Sequence, residues 1–220
     1  MTFYNIIFGI LFLGGVREIF VALTSEHGGG LLAFWEASIL TLLIFSDVVY
    51  TSHVLEELKY PYTVWMKLID LTSFILLTAA LLLLNPTASN LLQVPLDRTL
   101  AAALGTPLST WLFWTLLVCY WALLTLWVRI GDIHPNRTEF DALISGSGTP
   151  ALLRRPWAKR SLWFLIRWGR LVGLLILAFV TIIAWWHASW LSWLAPLIFS
   201  LTVLYLLING VILSLYPQRH

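Results

Sequence analysis

The chain has 220 residues, of which 60% are hydrophobic and 11% charged, and its mean hydropathy is +0.86. Soluble domains carry about 25% charged and about 45–50% apolar residues, so a water-soluble core is excluded and lipid is the expected solvent. The formal net charge is only +2, and no basic, aromatic-interleaved surface is large enough to bind nucleic acid.

A spanning helix takes roughly 20 mostly apolar residues. In chain order the apolar stretches predict spans at 3–23, 31–53, 62–84, 110–130, 161–186 and 190–215. The first is read as a retained helix, because the residues from Met1 to Asn5 carry none of the Lys or Arg that opens a secretory signal. A turn from Thr24 to Gly30 joins the first two spans. Pro61 stands at the start of the third, where its missing N–H costs nothing. Beyond Pro86, the residues from Leu96 to Gly105 read as a short interfacial helix closed by its glycine. The longest loop, 131–160, is polar and rich in turn formers (Ser145-Gly146-Ser147-Gly148-Thr149-Pro150). The fold class is therefore all-α: a six-helix transmembrane bundle in a single domain over residues 1–220. Cys119, the one cysteine, lies inside a span, which rules out a disulfide or a multi-cysteine metal site within the chain.

Basic residues in the connecting segments orient the bundle. With the N-terminus inside, Lys59, Arg129, Arg137, Arg154, Arg155, Lys159, Arg160 and Arg219 are cytoplasmic and only Arg98 is outside. The expected topology is N-in/C-in in a plasma membrane, most simply a prokaryotic inner membrane. Tryptophan prefers the headgroup level. Trp35, Trp111, Trp114, Trp185, Trp186, Trp190 and Trp193 fall near the outer boundary, and Trp65, Trp127, Trp157 and Trp163 near the inner one.

Ionisable groups inside spans cost a few kcal/mol or more each and normally face the bundle interior with a partner. Here they are Arg17, Glu18, Glu36, Asp47, Lys67, Asp70, Arg167 and Arg170. Arg17 and Glu36 both sit roughly 8–9 Å below the outer surface at 1.5 Å per residue, which predicts that they pair. Asp47, Lys67, Asp70, Arg167 and Arg170 fall roughly 9–14 Å from the inner face by the same count. Two acids and three bases there form a cluster of formal charge +1, suited to an anion or a lipid phosphate. Glu36 and Asp47, 11 residues apart, return to within about 20° on one helix face. Thr63, Lys67, Asp70 and Thr78 form a second polar stripe. Buried ion pairs that merely fix helix register would leave the same signature. Gly169 and Gly173 form a GxxxG step that lets helices approach closely, and Ala33, Ala37 and Thr41 form another small-residue stripe; both fit packing or an oligomer interface.

His27 and His187 fall at the outer face and His53 and His134 at the inner one. Two histidines per level resembles the arrangement in two-haem membrane cytochromes, whose axial ligands lie well inside the helices; these lie at or beyond the ends. Glu56-Glu57 resembles the EExxxR motif of intramembrane CAAX-type proteases, but Pro61 stands where the arginine is required. No catalytic residue and no metal site is expected, and haem is the one cofactor the histidines leave open.

Three functions follow in order of fit. The first is a small channel or carrier for an ion or small charged solute, lined or gated by Glu36, Asp47, Lys67, Asp70, Arg167 and Arg170, with the chain acting as an oligomer. The second is a non-catalytic subunit of a larger membrane complex, respiratory or defensive, with loop 131–160 docking a cytoplasmic partner. The third is an intramembrane enzyme or b-type haem protein.

Overall fold

The computed structural model describes residues 2–24, 30–52, 63–85, 108–131, 137–145, 151, 153–186 and 188–214. Among these residues there is no strand, and six helices are long and apolar enough to cross a membrane. They are α1 (Thr2–Thr24), α2 (Gly30–Ser52), α3 (Val64–Leu84), α4 (Leu108–Gly131), α6 (Pro156–Trp186) and α7 (Leu191–Ser214). A short helix, α5 (Arg137–Ser145), precedes α6, and a 3-10 turn (Ala188–Trp190) leads into α7. The segment around Pro61 and the interfacial helix expected at 96–105 lie outside the described residues.

Five spans match their expected limits to within two residues. α3 starts at Val64 because Thr63 caps it: its backbone is extended and its Oγ1 accepts the Met66 N–H at 3.3 Å. The fifth span departs most. α6 begins at Pro156, five residues before the expected limit, with proline at the first helical position. Its 31 residues extend about 46 Å, against about 30 Å of hydrocarbon, so one end projects into the headgroup level.

The expectation that 131–160 is wholly loop is corrected by α5. Phe140 and Ile144, one turn apart, are both buried and pack with Ile166 of α6. Burial of that pair holds nine residues helical that propensity alone would not, since an isolated helix so short is marginal.

Contacts along the helices set their directions. Phe8 stacks edge-on to Phe74 and Gly14 faces Leu81, so α1 and α3 run parallel. Gly15 faces Thr41 and Phe12 meets Phe45, so α2 runs opposite to α1. Trp114 reaches Glu36 and Trp35 meets Phe199, each residue in the first half of its helix, so α4 and α7 run parallel to α2, and Ile166 with Ile208 makes α6 antiparallel to α7. The near face of the bilayer, where α1 begins, therefore also holds the ends of α2, α4 and α7 and the starts of α3 and α6. The far face holds the opposite ends.

α2 is the central helix. Glu36, Ala37, Ser38, Ile39, Leu40 and Thr41 are all buried in succession, which requires neighbours on every side. α1, α3 and α7 supply them, while α4 packs on α3 and α6. The core is apolar: Leu40, Leu43 and Ile44 meet Phe8, Leu77, Leu117, Trp114 and Ile198. Three buried hydroxyls are satisfied by their own helices. Ser38 donates to the Phe34 carbonyl, Thr41 to that of Ala37 and Thr202 to that of Ile198, at 2.7–2.8 Å. Such back-bonding spares the bilayer an unsatisfied polar group.

Candidate functional site: intramembrane charges

The eight ionisable residues of the spans divide by burial. Glu18, Glu36, Asp47, Asp70 and Arg170 are buried; Arg17, Lys67 and Arg167 are exposed on the outside of the bundle. Of the five residues expected to cluster near the inner face, Asp47, Asp70 and Arg170 are buried and Lys67 and Arg167 are exposed. Lys67 and Arg167 each stand three residues nearer the near face than a buried partner on the same helix (Asp70, Arg170), and their long stems can carry the charge to the headgroups. The stripe of Thr63, Lys67, Asp70 and Thr78 is divided in the same way, with Asp70 inside and Thr63 and Lys67 outside.

The sign of the interior changes as a result. Among the described residues four acids and one base are buried, so the buried set leans acidic where the expected cluster carried +1.

The acids occupy two depths. Glu18 lies six residues before the end of α1 and Glu36 six residues after the start of α2, so both sit about 9 Å below the far face. Asp47 lies five residues before the end of α2 and Asp70 six after the start of α3, so both sit about 7–9 Å below the near face. Between these levels Leu40, Leu43, Ile44, Leu77 and Leu117 close the bundle with apolar side chains.

The Arg17–Glu36 pair is corrected. Arg17 Nη1 lies 3.9 Å from Glu18 Oε1 with its side chain 69% exposed, while Glu36 Oε1 accepts the Trp114 indole N–H at 2.9 Å. Equal depth does not make two residues neighbours; they must also face each other around the helix axis. Trp114, expected in the outer aromatic belt, is fully buried at that level, and Trp127 is buried toward the near face. Trp65, Trp157, Trp190 and Trp193 are exposed, as belt residues are.

Among the described residues Arg170 is the one buried base. Its Nε donates to the Tyr205 hydroxyl at 2.9 Å, and its carbonyl accepts the Trp121 indole N–H at 2.8 Å. The Trp121 and Tyr205 rings lie 5.7 Å apart, joining α4, α6 and α7. Gly169 and Gly173 make room for these rings. A Cβ at Gly169 would come within 3.2 Å of Tyr205, and one at Gly173 within 3.0 Å of Trp121. The GxxxG step therefore cradles two aromatic side chains. Backbone comes close at Gly15 instead: a Cβ there would meet the Thr41 hydroxyl and come within 3.4 Å of the Thr41 Cα. Of the second small-residue stripe, Thr41 thus packs against α1.

Comparison with protein-family models, curated proteins and solved structures finds no match. His27, His53, His134 and His187, the residues considered for haem, lie outside the described residues. Among the described residues no group of three His, Cys, Asp or Glu side chains is placed to hold a metal ion.

Proposed function

We propose that this multi-pass membrane protein is a small channel or carrier for cations, the proton included. The supporting observation is the placement of the buried acids at two matched depths, Glu18 and Glu36 toward one face and Asp47 and Asp70 toward the other, on either side of an apolar plug. A cation entering from water loses hydration and needs anionic or polar oxygen in its place; carboxylates near each mouth supply it. The plug keeps the two levels from forming a continuous water column, so passage requires a change in helix packing.

Selectivity tests this reading. Liposomes containing the purified protein, challenged in turn with gradients of small cations and small anions, are expected to pass cations only. Anion passage, or no passage of either, contradicts it.

A second reading is favoured by Arg17, whose side chain is 69% exposed within a membrane-spanning helix. Such a charge is costly against lipid and is well accommodated by a partner subunit. In that case the chain is a membrane subunit of a larger assembly, and partners copurify after gentle extraction.

A further inference from the structure

The near face of α6 carries a feature that the buried acids do not explain. A cavity of about 940 Å³ lies between α5 and the projecting first turns of α6, with Arg137, Lys159, Arg160, Trp163 and Trp168 among its walls. A second opening, of about 180 Å³, runs along the seam between α6 and α7 and is almost wholly apolar, floored by Trp121, Gly169 and Gly173. The two share Phe164 and Leu165 as walls, so the basic cavity and the apolar seam are neighbours along α6.

We propose that these two spaces form one binding site for an anionic phospholipid, with the phosphate in the basic cavity and an acyl chain along the seam. Depth supports this. α6 is about 16 Å longer than the hydrocarbon core, which sets the turn bearing Lys159 and Arg160 at the headgroup level. The seam then runs along α6 from Phe164 to Leu177, about 20 Å, roughly the depth of one leaflet.

Charge supports it too. Lys159 is engaged by Asp141, Nζ to Oδ1 at 2.9 Å. Arg137 and Arg160 are exposed, and among the described residues neither pairs with an acid. Two guanidinium groups on one rim match the oxygens of a phosphate in a way that lysine cannot. Trp163 and Trp168 line the same cavity, and indole rings suit the boundary between headgroup and chain. Gly169 and Gly173 line the seam beside Tyr205 and Trp121. The seam lies against α6 and α7, on different elements from the buried acids of α1, α2 and α3, so the site stands whether or not those acids carry cations.

Native mass spectrometry of the detergent-extracted protein, offered equal amounts of phosphatidylglycerol and phosphatidylcholine, tests the site. One phosphatidylglycerol is expected to remain bound through delipidation, favoured at least tenfold over phosphatidylcholine. The double variant Arg137→Gln/Arg160→Gln is expected to lose that preference. Val172→Trp, which fills the seam and leaves the basic rim intact, is expected to lower retention of the lipid as well. Equal retention of the two lipids overturns the proposal, and that comparison needs no variant to fold. So does retention by Val172→Trp equal to that of the unaltered protein, or full displacement by millimolar inorganic phosphate, which would make the cavity a site for a free anion.

Discussion

At the scale of single residues, Glu36 shows what the bundle asks of a buried acid. Its carboxyl is out of reach of water and accepts the Trp114 indole N–H at 2.9 Å. Removing the donor strands the acceptor, and a buried group left unmatched costs about 1–3 kcal/mol, more if charged. Trp114→Phe is therefore expected to lower thermal stability in detergent by at least that amount. Glu36→Gln keeps a carbonyl oxygen for the indole and is expected to cost less. Equal stability of Trp114→Phe and the unaltered protein would show the bond to be idle. The pairing was not legible in the sequence for a definite reason. Depth can be counted along a helix, and it put Arg17 and Glu36 at one level. The azimuth of each side chain depends on which helices are neighbours, and Trp114 stands 78 residues from Glu36.

At the scale of helices, the glycines separate close packing from open surface. A Cβ on Gly15 would strike Thr41, whereas one on Gly9 would meet nothing within 4 Å. Gly15→Val is expected to destabilise by about 1–3 kcal/mol through overpacking. Gly9→Ala is expected to be neutral or to stabilise by up to about 1 kcal/mol through helix propensity. Thermal unfolding of the two variants side by side checks the α1–α2 contact. The short α5 depends on burial, since Phe140 and Ile144 are its anchors to α6. Phe140→Ala is expected to cost about 3–5 kcal/mol if α5 unfolds cooperatively with the bundle. If α5 opens on its own, the same variant will instead show faster proteolysis confined to 137–160. Long apolar helices were legible because roughly 20 residues of hydrocarbon leave a strong signal. α5 was not, because turn formers follow it directly and only an i, i+4 apolar pair marks it. The early start of α6 carried a usable sign in Pro156, the same first-turn proline rule that was applied to Pro61.

At the scale of the whole molecule, the outward turn of Lys67 and Arg167 decides the character of the interior. Composition alone gave a near-face cluster of net positive charge; burial leaves Asp47 and Asp70 inside with Arg170, and Glu18 and Glu36 at the opposite level. On the proposed cation path, movement across the Leu40–Ile44 plug uses acids from both levels, so loss of either level is expected to stop it. Cation flux into liposomes, driven by an imposed membrane potential, measures this directly for the unaltered protein and for Asp47→Asn/Asp70→Asn, with folding verified by size-exclusion profile and helicity. Flux well above that of empty liposomes, reduced at least tenfold in the double variant, is the predicted result. Flux unchanged by removing both carboxylates, or none from the unaltered protein, would contradict a cation path through the bundle.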